Sequence, residues 1–90
     1  MNPNFEKISS SLSDSSKKLD NAEMEDILKH IYEALCEKGY DPARQIAGYI
    51  LSEDPVYITN WKNARGLISH INRDDLLIFL INHYLNEFNQ

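Results

Sequence analysis

Six apolar residues stand in an unbroken row from Leu76 to Ile81, and Tyr84, Leu85 and Phe88 follow at helical spacing. Asn72 is placed as the N-cap of a helix through this run, with Asp74 and Asp75 against the positive end of its dipole. On a helical wheel the apolar side chains cover roughly two-thirds of the circumference, and Asp75, Asn82 and Asn86 share the polar strip that remains. A surface helix of a small monomer has no use for so wide an arc. Either the helix is the centre of a bundle, or it packs on its own fold and on a second subunit at once. The second arrangement makes the chain a homodimer, with Leu76, Leu77, Leu80 and Tyr84 expected at the interface.

The remaining elements also read as helices. Asp20 and Glu23 fit a capping box, and Met24, Ile27, Leu28, Ile31 and Leu35 recur on one helical face. Gly39 stands where a left-handed residue ends a helix, so the spacing predicts a helix over 21–38. Asp41-Pro42 opens the next, with Ile46, Tyr49 and Ile50 as its apolar edge and Ser52 through Pro55 as its end. Gly48 within it suggests close approach by another backbone. Val56-Tyr57-Ile58 favours an extended or irregular connection. A third helix is expected from near Asn60 to His70 or Ile71, with Ala64, Leu67, Ile68 and Ile71 inward. The fold class is all-α: a compact bundle of four to five helices over residues 20–90.

Residues 1–19 read as a disordered tail. Ser9, Ser10, Ser11, Ser13, Ser15 and Ser16 crowd it, and only Phe5, Ile8, Leu12 and Leu19 could pack. Alone, such a segment buries too little apolar area to offset its ordering entropy. Lys7, Lys17 and Lys18 balance Glu6, Asp14 and Asp20, so the whole net charge of −5 lies on residues 21–90. A serine cluster ahead of a helix suits phosphorylation, and it equally suits a plain linker.

The composition closes several functional classes. A net negative chain without clustered cations argues against nucleic-acid binding. One cysteine leaves no disulfide framework and no cysteine-rich zinc site. The longest apolar run falls far short of the roughly 18 residues that span a bilayer, and the N-terminus lacks the order of a signal peptide. A soluble, cytoplasmic protein with no membrane insertion is expected.

Catalytic chemistry is hard to find. Asp26 and His30 share a helical face without a third metal ligand, and such pairs are common on solvated helices. Cys36 sits toward the side of the first helix's stripe and reads as a half-buried, inert thiol. Three scattered glycines make no phosphate loop, and the Glu53-Asp54 and Asp74-Asp75 pairs sit where capping explains them. No enzyme activity, metal or cofactor is expected. Five tyrosines and one tryptophan are core or contact surface, and Trp61, between Asn60 and Lys62, lies in a polar stretch.

The anchors Tyr32-Glu33-Ala34-Leu35, Glu37-Lys38-Gly39-Tyr40, Pro42, Gln45-Ile46, Gly48-Tyr49, Leu51-Ser52, Asp54-Pro55 and Tyr57-Ile58 fall in order without gaps. Ala64-Arg65, Arg73-Asp74 and Tyr84-Leu85 complete the set. With them the chain resembles the IreB/ReoM family of small regulatory phosphoproteins of Gram-positive Firmicutes. The run from Glu37 to Ile58, EKGYDPARQIAGYILSEDPVYI, carries most of the likeness.

The resemblance implies a helical homodimer whose tail is phosphorylated by a PASTA-domain Ser/Thr kinase. It implies a non-enzymatic adaptor that promotes ClpCP-dependent degradation of MurA when unphosphorylated, and so restrains peptidoglycan synthesis. Extending the register puts Ser10 at the family's acceptor threonine, although the aromatic-glycine-acidic motif that follows in the family is missing here. Family basic residues after Tyr-Ile correspond to Thr59-Asn60-Trp61-Lys62-Asn63, and a family Arg-Arg pair is Ser69-His70. Trp61, Lys62, Arg65 and Arg73 are therefore the expected partner contacts. Arg65, Ser69 and Arg73 would share a face on an unbroken helix, and pairing of the arginines with Asp54, Asp74 or Asp75 is the competing account. A second functional reading is a diverged paralogue that keeps the dimeric scaffold but has another partner and no phosphorylation switch.

Overall fold

In the computed structural model, residues 19–89 are described; Ser10 and the tail ahead of Leu19 lie outside the described residues. Four α-helices occur among these residues: α1 (Asn21–Glu37), α2 (Pro42–Ser52), α3 (Ala64–Ser69) and α4 (Arg73–Leu85). Single 3-10 turns lie at Pro55–Tyr57, Trp61–Asn63 and Asn86–Asn89, and no strand occurs among the described residues. The all-α expectation holds.

The helix boundaries follow from side-chain chemistry. Asp20 accepts from the Glu23 amide at 2.8 Å while Glu23 reaches back to the Asp20 amide, a complete capping box. Gly39, at φ +83°, closes α1 in the left-handed region that glycine adopts without strain. Asp41 caps α2 through Ala43 and Arg44, and Asn72 caps α4 through Asp74 and Asp75.

The core is built on α1. Met24, Ile27, Ile31, Ala34 and Leu35 are buried along its inner face, against Ala64, Leu67 and Ile68 of α3 and Tyr49 of α2. Ile58 and Ile71, from the connections on either side of α3, are buried with them. Leu19, placed in the tail by sequence, packs against this core. The central helix is thus α1 and not α4, which buries only Leu76 fully and leans on the core through Phe79 and Leu80.

Several local expectations are corrected. Gly48 is approached by a ring, not a backbone: a Cβ there would stand 2.5 Å from Tyr57 Cδ1. Val56-Tyr57 is wound into the Pro55–Tyr57 turn, because Asp54 caps the Val56 amide at 3.0 Å; only Ile58 is extended. Arg65 and Arg73 do not share one helix, since α3 ends at Ser69. Cys36 is exposed rather than half-buried.

Candidate functional site

Two features of the surface bear on the expected contact residues. The first is the loop between Ile58 and α3. Lys62 (φ +52°) and Asn63 (φ +60°) are consecutive left-handed residues with side chains, a conformation that costs on the order of 1–2 kcal/mol per residue and must be held by its surroundings. The holders lie at the C-terminal end of α1. Trp61 Nε1–H donates to Glu37 Oε1 at 3.2 Å, and Lys62 Nζ reaches the same carboxylate at 3.0 Å. The Lys38 ammonium sits 5.1 Å from the centre of the indole ring. His30 Nε2 lies 2.6 Å from the Lys62 carbonyl oxygen, so that nitrogen carries the proton and donates it. The hydrogen bond from Lys62, joined by that from Trp61, holds the Glu37 carboxyl below the usual carboxylate range.

This loop brings together two of the expected contact residues. Trp61 is 44% exposed, and its indole shares the Glu37 carboxylate with the Lys62 side chain. Arg65 and Arg73 are placed differently. Arg65 Nε donates to the Ile58 carbonyl at 2.9 Å, tying the loop to α3. Arg73 donates to the Ile50 carbonyl at 3.4 Å and pairs with Glu53, a left-handed residue that closes α2. Both guanidinium groups therefore brace the chain, and the carboxylate bound to Arg73 is Glu53 rather than Asp54, Asp74 or Asp75.

The second feature is the outer face of α4. Leu77, Ile81 and Tyr84 are each 42% exposed or more, and Phe88 beyond them stacks edge-on to Tyr84 with ring centres 5.7 Å apart. They form one exposed apolar stripe at helical spacing. Of the residues expected at a dimer interface, Leu77 and Tyr84 lie on this stripe. Leu80 is partly buried against the protomer's own core, and Leu76 is sealed inside it.

No group of three or more metal-ligating side chains occurs among the described residues, and the ring of His30, once paired with Asp26 on spacing, is turned to the Lys62 carbonyl. No helix among them is long and apolar enough to cross a membrane. A hydrogen bond with the exposed Cys36 pushes the Tyr32 hydroxyl above the ordinary phenol range, the opposite of an activated group. What the surface offers is exposed apolar area, an aromatic ring and a lysine.

Sequence reasoning missed Glu37, the residue that gathers the loop; Ile81 and Phe88 were seen in the apolar arc but not among the expected interface residues. Glu37 had a signal only in hindsight, as an acidic residue in the last turn of a helix, where the dipole disfavours it unless a cation answers.

A model of the IreB regulatory phosphoprotein family matches residues 10–86 of the chain. The UPF0297 protein of Ruminiclostridium cellulolyticum is 48% identical over 75 residues, covering 80% of this chain and 85% of that protein. The UPF0297 protein of Clostridioides difficile is 49% identical over 67 residues, covering 74% and 79%. That of Lachnoclostridium phytofermentans is 49% identical over 63 residues, covering 70% and 72%.

Proposed function

The chain belongs to the IreB regulatory phosphoprotein family, and from that membership we propose that it is a cytoplasmic, non-enzymatic adaptor. A PASTA-domain Ser/Thr kinase phosphorylates its tail at Ser10. The unphosphorylated protein promotes degradation of MurA by the ClpC protease machinery, and phosphate relieves it, so that peptidoglycan synthesis rises. The working unit is a homodimer closed over the α4 stripe, and Trp61 and Lys62 form the partner-facing loop that Arg65 and Arg73 hold in position.

The observation that carries this reading is the span of the family match, which begins at residue 10 and runs through all four helices. The uncovered stripe on α4 supports the dimer, because leaving Leu77, Ile81 and Tyr84 in water forgoes roughly 25 cal/mol for each Å² of apolar surface.

A second reading is favoured by the bracing role of the cations. With Lys62 paired to Glu37 and Arg73 to Glu53, an acidic partner surface finds two of the three cations of this region already answered within the chain. The chain is then a paralogue that keeps the scaffold for another partner, without the phosphorylation switch.

One experiment separates the two. The purified protein, with and without prior treatment by the kinase, is used to capture purified MurA and the ClpC subunit, and its intact mass is recorded. Phosphate-sensitive capture, with the added mass lost in Ser10→Ala, is the expected outcome. No capture and no added mass would leave only the scaffold reading.

A further inference from the structure

The donors that hold the loop after Ile58 converge on one carboxylate. Glu37 Oε1 accepts from Trp61 Nε1–H at 3.2 Å and lies 3.0 Å from Lys62 Nζ, which also donates to Oε2 at 3.1 Å. The Lys38 ammonium stands 5.1 Å from the centre of the same indole ring, and the His30 ring is bonded to the Lys62 carbonyl. An indole N–H and an ammonium are donors with no acceptor of their own, so an acidic group satisfies both and a basic one satisfies neither. Glu37 meets that demand from within the chain.

Two observations make Glu37 a replaceable occupant. It is the last residue of α1, at the negative end of the helix dipole, where a carboxylate is the disfavoured charge. The pair is also open to water, with 44% of the Glu37 side chain and 50% of the Lys62 side chain exposed. An ion pair this exposed is screened by solvent and salt, and a carboxylate from outside can reach the same ammonium.

We propose that Trp61 Nε1–H and the Lys62 ammonium form a binding site for a carboxylate side chain of an acidic partner segment, with Glu37 as its internal competitor. On binding, the partner's carboxylate takes both donors and Glu37 turns to solvent. The exchange trades one carboxylate for another, so a lone acidic group gains little. A segment carrying several acidic residues gains contacts that Glu37 does not make, and the competitor therefore sets a threshold that selects it. The inference deepens the partner-facing role proposed for Trp61 and Lys62 and rests on it, naming the chemistry that such a partner presents.

The test is a titration of the full chain with an N-acetylated, C-amidated tetraglutamate peptide, read by the emission of Trp61, the only tryptophan. The tetraglutamine peptide and sodium chloride at matched ionic strength are the controls. The glutamate peptide should give a saturable change that neither control reproduces. Glu37→Gln removes the competing charge and should bind several-fold tighter, whereas Lys62→Gln should lose the response. In the wild-type chain, carbon NMR of the Glu37 carboxyl should show its titration returning toward the ordinary carboxylate range when the peptide is bound, because its donors have been taken. Equal or weaker binding by Glu37→Gln would overturn the proposal. So would a Glu37 carboxyl that titrates identically with and without peptide, or an emission change that sodium chloride reproduces. No kinase, MurA or ClpC enters the measurement, so its failure is distinct from failure of the capture experiment.

Discussion

The indole of Trp61 and the carboxylate of Glu37 are 24 residues apart in sequence and 3.2 Å apart in space. That one contact, with the Lys62 pair beside it, fixes a loop whose backbone is otherwise unfavourable, and it does so from the last turn of the central helix.

The contact should titrate. Glu37 has a folded-state pKa below its unfolded value, so its contribution to loop attachment is fully present above the ordinary carboxylate range. It is lost as pH falls through the lowered value. Trp61 is the only tryptophan, so its fluorescence reports the loop directly. Emission should shift toward the solvent-exposed value on acidification, and Glu37→Gln should flatten that transition. An identical transition in Glu37→Gln would assign the titration to another group.

Gly48→Ala should destabilise despite better helix propensity. Alanine gains about 1 kcal/mol in a helix interior, but its Cβ would stand 2.5 Å from the Tyr57 ring, and overpacking of this kind costs about 1–3 kcal/mol. In a Tyr57→Ala background the same change should become stabilising. Urea unfolding of the four variants measures the coupling, and simple additivity would show that the ring moves aside freely.

Two substitutions on α4 should separate folding from assembly. Leu76→Ala removes a fully buried side chain and should cost about 2–5 kcal/mol in stability. Ile81→Asp, on the outer stripe, should leave helical content unchanged and reduce the sedimenting mass to that of one chain. A mass unaffected by Ile81→Asp would remove the stripe from the interface.

Arg73→Ala should cost roughly 1 kcal/mol, discounted for a guanidinium one-third exposed, because it loses the Ile50 carbonyl and the Glu53 pair together. If instead Arg73 serves only to touch a partner, thermal stability will not change while capture of MurA weakens.

Most of the fold was legible because its helices begin and end on local chemistry. Asp20, Asp41 and Asn72 bond amides two or three residues away, and the inward positions of α1 and α3 repeat at helical spacing. What depended on distant residues was not legible. The Tyr57 ring over Gly48, the grip of Glu37 on Trp61 and the arginine bonds to Ile58 and Ile50 have no periodic signal. The same holds for α4. Its wide apolar arc was visible, but which residues meet the core depends on packing with distant residues, which put Leu76 inside and left Ile81 and Phe88 out.

That attachment has a consequence for turnover. A helix moored by one wholly enclosed leucine can open without melting α1 to α3, because little of the common core goes with it. Dilution strips away whatever shelter a neighbouring molecule gives, so the C-terminal stretch would become the first foothold for a protease when the protein is scarce. Nicking should then fall between Leu77 and Phe88 and slow as concentration rises, a bias toward keeping abundant molecules and discarding solitary ones. Limited proteolysis at two concentrations reads it, and equal cleavage rates would mean that the helix holds by itself.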